Sequence, residues 1–255
     1  MKQLPIVLLM FALMITATAD DWIVETVDSD DDVGYDTSLA LDAGGNPHIS
    51  YKDRTNWDLK YAAWNGASWE LETVESAGYV GHYTSLALDA GGNPHISYYD
   101  ATNQELKYAA WNGASWELET VDSGGGGDVG RYTSLALDDS GNPHISYIDY
   151  TDYDLKYAAW NGASWELQTL DSGGFIAGYT SLALDAGGYP HISYFDLSNH
   201  NLKYAAWNGA SWELETVDYD GDVGSYTSLA LDDSGNPHIS YYDETNGYLK
   251  YAAWN

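Results

Sequence analysis

The sequence predicts an all-β fold: a five-bladed β-propeller of four-stranded blades, its last blade closed by the N-terminal strand. Three observations predict it. A histidine recurs at His48, His95, His144, His191 and His238, at intervals of 47, 49, 47 and 47 residues. The segment LKYAAWN, first at Leu59–Asn65, returns unchanged from Leu106, Leu155, Leu202 and Leu249. One lone strand, WIVETV from Trp22, precedes the first full unit, and the last unit stops after three strands. The total is then a whole number of blades. A ring can pair the leading strand with the trailing three, whereas an open stack leaves both as raw edges.

Residues 1–19 read as a signal peptide. Lys2 gives a basic start, an apolar run extends from Leu4 to Ile15, and Ala17-Thr18-Ala19 is a small-x-small cleavage site. The run is short of the roughly 20 residues that span a bilayer. The mature chain, residues 20–255, is expected to be one exported propeller, outside the cell or on its surface, without membrane insertion and monomeric.

Within each unit four short runs have strand character. In the first full copy they are Thr37–Asp42, Pro47–Lys52, Leu59–Trp64 and Trp69–Val74. Each is rich in β-branched and aromatic residues and too short for a helix. Ala43-Gly44-Gly45-Asn46 supplies residues that accept positive φ, and Pro47 fits the first position of a strand. Asn65-Gly66 is a hairpin turn, and Asp53-Arg54-Thr55-Asn56 opens a longer one. The run TSLALD belongs nearest the axis, where Ser38 and Ala40 are small and Leu39 and Leu41 fill the gap between blades. Trp69, Leu71 and Thr73 alternate with Glu70 and Glu72, as on a half-exposed outer strand. The ten patterned tryptophans read as packing residues, with Trp22 expected beside Trp254 as Trp64 lies beside Trp69. The histidines read as hydrogen-bonding residues between blades, since five separate blades cannot bring them within the ~2 Å reach of one zinc ion.

Composition limits function. Nine Lys+Arg against 39 Asp+Glu give a net charge of −30, which repels nucleic acid and anionic membrane surfaces. There is no cysteine, hence no disulfide, thiolate nucleophile or cysteine-ligated zinc. No Gly-x-Ser-x-Gly elbow or Gly-rich phosphate loop occurs, and nearly every polar residue comes in fives, while catalysis needs an asymmetric set.

Turns on one face barely vary between copies, whereas the opposite loops carry Arg54, Trp57, His82, Arg131, Tyr150, Tyr153, Phe175, Ile176 and His200 as single occurrences. Loops on a rigid scaffold carry function. That face offers a tyrosine (Tyr83, Tyr132, Tyr179, Tyr226), an aspartate (Asp53, Asp100, Asp149, Asp196, Asp243) and usually an asparagine (Asn56, Asn103, Asn199, Asn246), with Asp36 replacing one tyrosine. A ring that packs on C–H faces beside polar groups that bond hydroxyls suits a sugar. These residues and Trp57 are the candidate ligand-binding set, with glycans or surface proteins as partners. The same Asp and Asn types also cap their own hairpins. Asp218, Asp220 and Asp222 are close-spaced oxygen donors and the candidates for calcium, though without a full twelve-residue loop. No other cofactor is implied.

The segment Ser38–Asp53 and its copies, S-L-A-L-D-x-x-G-N-P-H-I-S-Y-x-D, resemble exported bacterial and archaeal repeats of sialidase-like, Asp-box-like propeller character. The pattern Ser-x-Asp-x-Gly-x-Thr-Trp is absent and only Arg54 and Arg131 are arginines, so the resemblance implies fold and not sialidase activity. In repeat length and blade number the chain is similar to tachylectin-2-type five-bladed lectins. That similarity implies a secreted, non-enzymatic, multivalent carbohydrate-binding module. A surface-adhesion module and a glycan-cleaving enzyme are the alternatives.

Overall fold

A computed structural model describes residues 22–176 and 178–254; residues 1–19, expected to be a signal peptide, lie outside them. The described chain is a series of antiparallel sheets, each a four-stranded meander except the last. Sheet I holds β1 (Val33–Leu41), β2 (Pro47–Asp53), β3 (Leu59–Trp64) and β4 (Trp69–Glu75). Sheet II holds β5 (His82–Leu88), β6 (Pro94–Asp100), β7 (Glu105–Trp111) and β8 (Trp116–Asp122). Sheet III holds β9 (Val129–Leu137), β10 (Pro143–Asp149), β11 (Asp154–Trp160) and β12 (Trp165–Asp171). Sheet IV holds β13 (Ser181–Leu184), β14 (Pro190–Asp196), β15 (Asn201–Trp207) and β16 (Trp212–Asp218). Sheet V has three strands, β17 (Val223–Leu231), β18 (Pro237–Asp243) and β19 (Tyr248–Ala253).

Turn chemistry fixes the register. Asp89 Oδ1 accepts the Gly91 and Asn93 backbone N–H groups at 2.8 Å, and Oδ2 accepts Asn93 Nδ2 at 2.9 Å. Gly92 sits at φ 80°, where a side chain is costly. Pro94 then starts β6 opposite Leu88, at a position that needs no N–H for the ladder.

The apolar core lies between sheets. Leu59, Tyr61 and Val74 of sheet I pack on Leu86, Ile96, Tyr98 and Ala109 of sheet II, and the same residue types repeat at the following seams. First strands pack on one another in succession, which makes them the inner strands. Ser38 Oγ accepts the Leu86 N–H at 3.0 Å, and Ser85, Ser134 and Ser181 do the same for Leu135, Leu182 and Leu229. Farther out, Tyr98 and Lys107 both donate to Glu75 of the preceding sheet. Asp122, Asp171 and Asp218 receive equivalent Tyr and Lys donors. At Gly130 an added Cβ would lie 2.6 Å from the Leu106 Cα, so the seam requires glycine.

One expectation is corrected. The histidines do not bridge blades: His48 Nδ1 bonds Tyr61 on the neighbouring strand of its own sheet, and the four copies do likewise. Among the described residues the leading segment forms no strand ladder with β19, and Trp22 is 96% exposed. Its bonds run to sheet I instead. Trp69 Nε1 donates to Glu25 at 2.8 Å, and Tyr51 and Lys60 donate to Asp28 at 2.7 and 2.5 Å. Accordingly Leu39 of sheet I is 63% exposed, while its equivalents at the four formed seams are at most 9% exposed.

Candidate functional site

The clefts between consecutive sheets carry the repeated chemistry. Trp116 starts β8 and lies edge-on to Tyr61 of sheet I, ring centroids 5.3 Å apart, while its Nε1 donates to Glu72 at 2.8 Å. Trp111, opposite Trp116 across the Asn-Gly turn, packs on it at 5.7 Å. Together with Glu70, Asn93 and Pro94 these residues line a pocket of about 240 Å3. Between sheets III and IV the same positions, Tyr157, Glu166, Gln168, Pro190, Trp207 and Trp212, line one of about 250 Å3. Between II and III, Tyr108, Glu119 and Trp165 repeat the bond and the edge-on contact.

Behind each cleft stands a fixed polar line. Tyr108 is held by the imidazole of His95, whose far side lies 3.8 Å from Asp89. Burial pushes the His95 pKa below the ordinary imidazole value, against the pull of Asp89. Burial also pushes the Asp89 carboxyl up, but the Asn93 and Gly91 donors outweigh it and hold the group below its usual range. The wall of the cleft is thus rigid, aromatic and edged by carboxylates. An aromatic face with acceptors at its rim suits a polyol ring, whose C–H face is apolar and whose edge donates hydrogen bonds.

The residues expected to form sites on the loop face are placed otherwise. Asp53, Asp100, Asp149, Asp196 and Asp243 are buried at the ends of their strands. Asp100 Oδ1 accepts the Thr102 and Asn103 N–H groups at 2.8 and 3.1 Å, and Oδ2 accepts Asn103 Nδ2 at 2.8 Å. Asp53 with Asn56, Asp196 with Asn199 and Asp243 with Asn246 form the same cap, and Asp149 takes the Thr151 and Asp152 N–H groups. These carboxylates close their own turns. Tyr83, Tyr132 and Tyr226 on inner strands and Tyr179 just before β13 gather instead, with successive centroids 4.4, 5.2 and 4.2 Å apart. All four hold φ between 52° and 55°, at a break in the β1-type ladder that turns each ring toward its neighbours. The tyrosines and the Asp/Asn pairs are thus held by different contacts, ring against ring and carboxylate against turn.

Trp57 packs on Tyr79 at 4.7 Å on the loop face, with the Lys52 ammonium 5.1 Å from its ring. Lys52, buried, bonds His82, which faces Asp36 at 3.7 Å. Burial lowers the Lys52 pKa to about 8. This is a non-repeated line of titratable groups, yet its lysine is sealed from solvent.

The calcium candidates do not converge. Asp218 accepts from Tyr241, Lys250 and the Asp220 N–H, and Asp222 pairs with His200 at 2.9 Å. Among the described residues no group of three or more His, Asp or Glu is arranged to hold a metal. Nor is any described helix long and apolar enough to cross a membrane.

The tryptophans pack as the sequence predicts, and the same packing lines the clefts, away from the loops where the copies vary. The recurrence of Trp111–Trp116 pairs beside Glu70-type residues was the available signal.

No family model matches the chain, and no curated protein does. Solved structures do. The SapL1 lectin in complex with α-methyl fucoside superposes with a TM-score of 0.62 at 15% identity, covering 88% of this chain and 78% of that one. The Aleuria aurantia lectin with Fucα1-6GlcNAc gives 0.57 at 15%, covering 86% and 74%. An ulvan lyase, a polysaccharide lyase bound to a GlcA–Rha3S unit, gives 0.60 at 15%, covering 86% and 66%. At these identities the likeness is one of fold: repeated four-stranded blades of propeller type.

Proposed function

We propose that the chain is an exported, non-enzymatic β-propeller that binds carbohydrate at several equivalent clefts between its blades. The observation that carries this reading is the recurrence of a Tyr/Trp/Glu-lined pocket of about 240–250 Å3 at the seams between sheets I and II and between sheets III and IV. The fold likeness to lectins solved with fucosides supports it. Separate shallow sites bind weakly alone and strongly together on a multivalent glycan. The five sheets are blades of one ring, with Trp22–Val27 as the missing fourth strand of sheet V. That closure is supported by the segment's fourth-strand bonds to sheet I. Export is supported by the signal-like segment 1–19. The sealed Lys52 and the fivefold repetition favour binding over catalysis.

A glycan array with the mature chain, followed by calorimetry on the selected sugar, tests the reading. Binding at several like sites without turnover is expected; absence of any glycan binding refutes it. The second reading is a protein-binding patch on the loop face. It is favoured by the exposed aromatics Trp57, Tyr79 and Phe175, and a single site blocked by Trp57→Ala would select it.

A further inference from the structure

The edge left open by sheet V is a defined vacancy. Leu249 on β19 is 85% exposed, while its counterparts Leu59, Leu106, Leu155 and Leu202 are fully buried. Tyr251 and Trp254 are exposed as well. The pocket beside them, lined by Tyr204, Glu215, Pro237, Tyr251 and Trp254, widens to about 680 Å3. It is the cleft between sheets IV and V with one wall gone. In the other clefts that wall is the tryptophan that starts the fourth strand.

The chain holds one further copy of that strand. Trp22-Ile23-Val24-Glu25-Thr26-Val27 matches Trp69-Glu70-Leu71-Glu72-Thr73-Val74. Its Glu25 and Asp28 already make to sheet I the bonds that Glu72 and Glu75 make to sheet II. Its outer side, Trp22 to Val24, is exposed and unpaired. A segment lying as a fourth strand against sheet I and a three-stranded sheet lacking a fourth strand are two halves of one blade.

We propose that Trp22–Val27 pairs with β19 of the same chain and that Trp22 thereby becomes a sugar-binding residue of the cleft between sheets IV and V. This rests on the carbohydrate-binding reading above. The register of β3 on β4 carries over: Trp22 opposite Trp254, Ile23 opposite Ala253, Glu25 opposite Tyr251, Asp28 opposite Leu249. Trp22 then stands to Tyr204 and Glu215 as Trp116 stands to Tyr61 and Glu72. Trp69, already bonded to Glu25, gains Tyr251 as its edge-on partner and walls a fifth cleft between sheets V and I. Across that seam the Leu39 N–H meets Ser228 as Leu86 meets Ser38. One movement of sheet V toward the docked segment makes all these contacts. Both halves belong to one chain at high effective concentration, and self-closure leaves no edge, whereas head-to-tail pairing between copies leaves one at each end.

The absence of cysteine makes the test direct. The doubly substituted full chain Ile23→Cys/Ala253→Cys is oxidised at low protein concentration beside the control Ala63→Cys/Glu70→Cys, whose residues are paired in the structure. The expected result is an intrachain crosslink at monomer mass in both. A control that crosslinks while the test pair does not, or that accompanies crosslinked oligomers of the test pair, overturns the proposal. In the second arm, Trp22→Ala is expected to lower the calorimetric stoichiometry by about one site, with the remaining sites unchanged. Undiminished stoichiometry in a chain that binds sugar overturns the role of Trp22. Failure of the parent chain to bind any sugar strikes instead at the carbohydrate reading, and the crosslinking arm stands apart from it.

Discussion

Trp69 donates its indole proton to Glu25 at 2.8 Å across 44 residues of chain, as Trp116 does to Glu72. The pairing shows that each fourth strand is a joint component. Its tryptophan walls one cleft, and in β4, β8 and β12 its central Glu72, Glu119 or Gln168 receives the tryptophan of the next sheet. The proposed sugar clefts and the seams share the same side chains, so substitutions there are expected to affect both.

Trp116→Ala is expected to remove sugar binding from the cleft between sheets I and II and to destabilise the fold by about 2–4 kcal/mol, since the half-buried ring also packs on Tyr61. Calorimetric stoichiometry and denaturant unfolding separate the two effects. Glu70→Gln, exposed at the rim of the same cleft, is expected to weaken sugar binding with stability unchanged.

Asp100→Ala removes the three acceptor bonds that close the turn after β6. A loss of about 1–2 kcal/mol is expected, with sugar stoichiometry unaltered. Urea unfolding and calorimetry on the same preparation check it; lost sugar binding in a folded variant would return the loop-face site to consideration.

Much of this was legible in the sequence. The LKYAAWN copies and the turns before each Pro placed the strand order and turn positions within each sheet, because each copy repeats the same local chemistry; the leading WIVETV, expected as a further strand, is not one among the described residues. What a repeat could not reveal was which polar residues face outward. Asp100 and Asn103 look alike whether they bind a sugar or cap a turn, and only the position of Asp100 at the strand end, where Thr102 and Asn103 present N–H groups, decides it. Tyr83 went astray for a backbone reason: its positive φ of 54° swings the ring toward Tyr132. The histidines were placed on the correct strand, but Tyr61, two residues along the paired strand from Ala63, claims the ring within the sheet.

Burial lowers the Lys52 pKa to about 8, below the ~10.4 of a free lysine. Between these values the unfolded chain binds more protons, so stability from this site rises with pH across that window and is lowest at neutrality. Lys52→Met is therefore expected to unfold at higher temperature than the parent at pH 7, with the difference shrinking toward pH 10.4. Thermal melts across that range measure it.

The imidazoles of His95, His144 and His191 are held below the ordinary value by burial, with Asp89, Asp138 and Asp185 only partly offsetting it. Below about pH 6.5 the unfolded chain takes up protons that the folded chain refuses, so stability falls as the solution is acidified. A melting temperature that drops between pH 7 and 5, and drops less in a His95→Gln/His144→Gln/His191→Gln variant, is the expected outcome.

Titration calorimetry of the mature chain with the sugar selected on a glycan array addresses repeated binding most directly. Roughly five like sites per chain are expected once the ring is closed. A stoichiometry of one, or no heat with any glycan, would contradict carbohydrate binding between the blades.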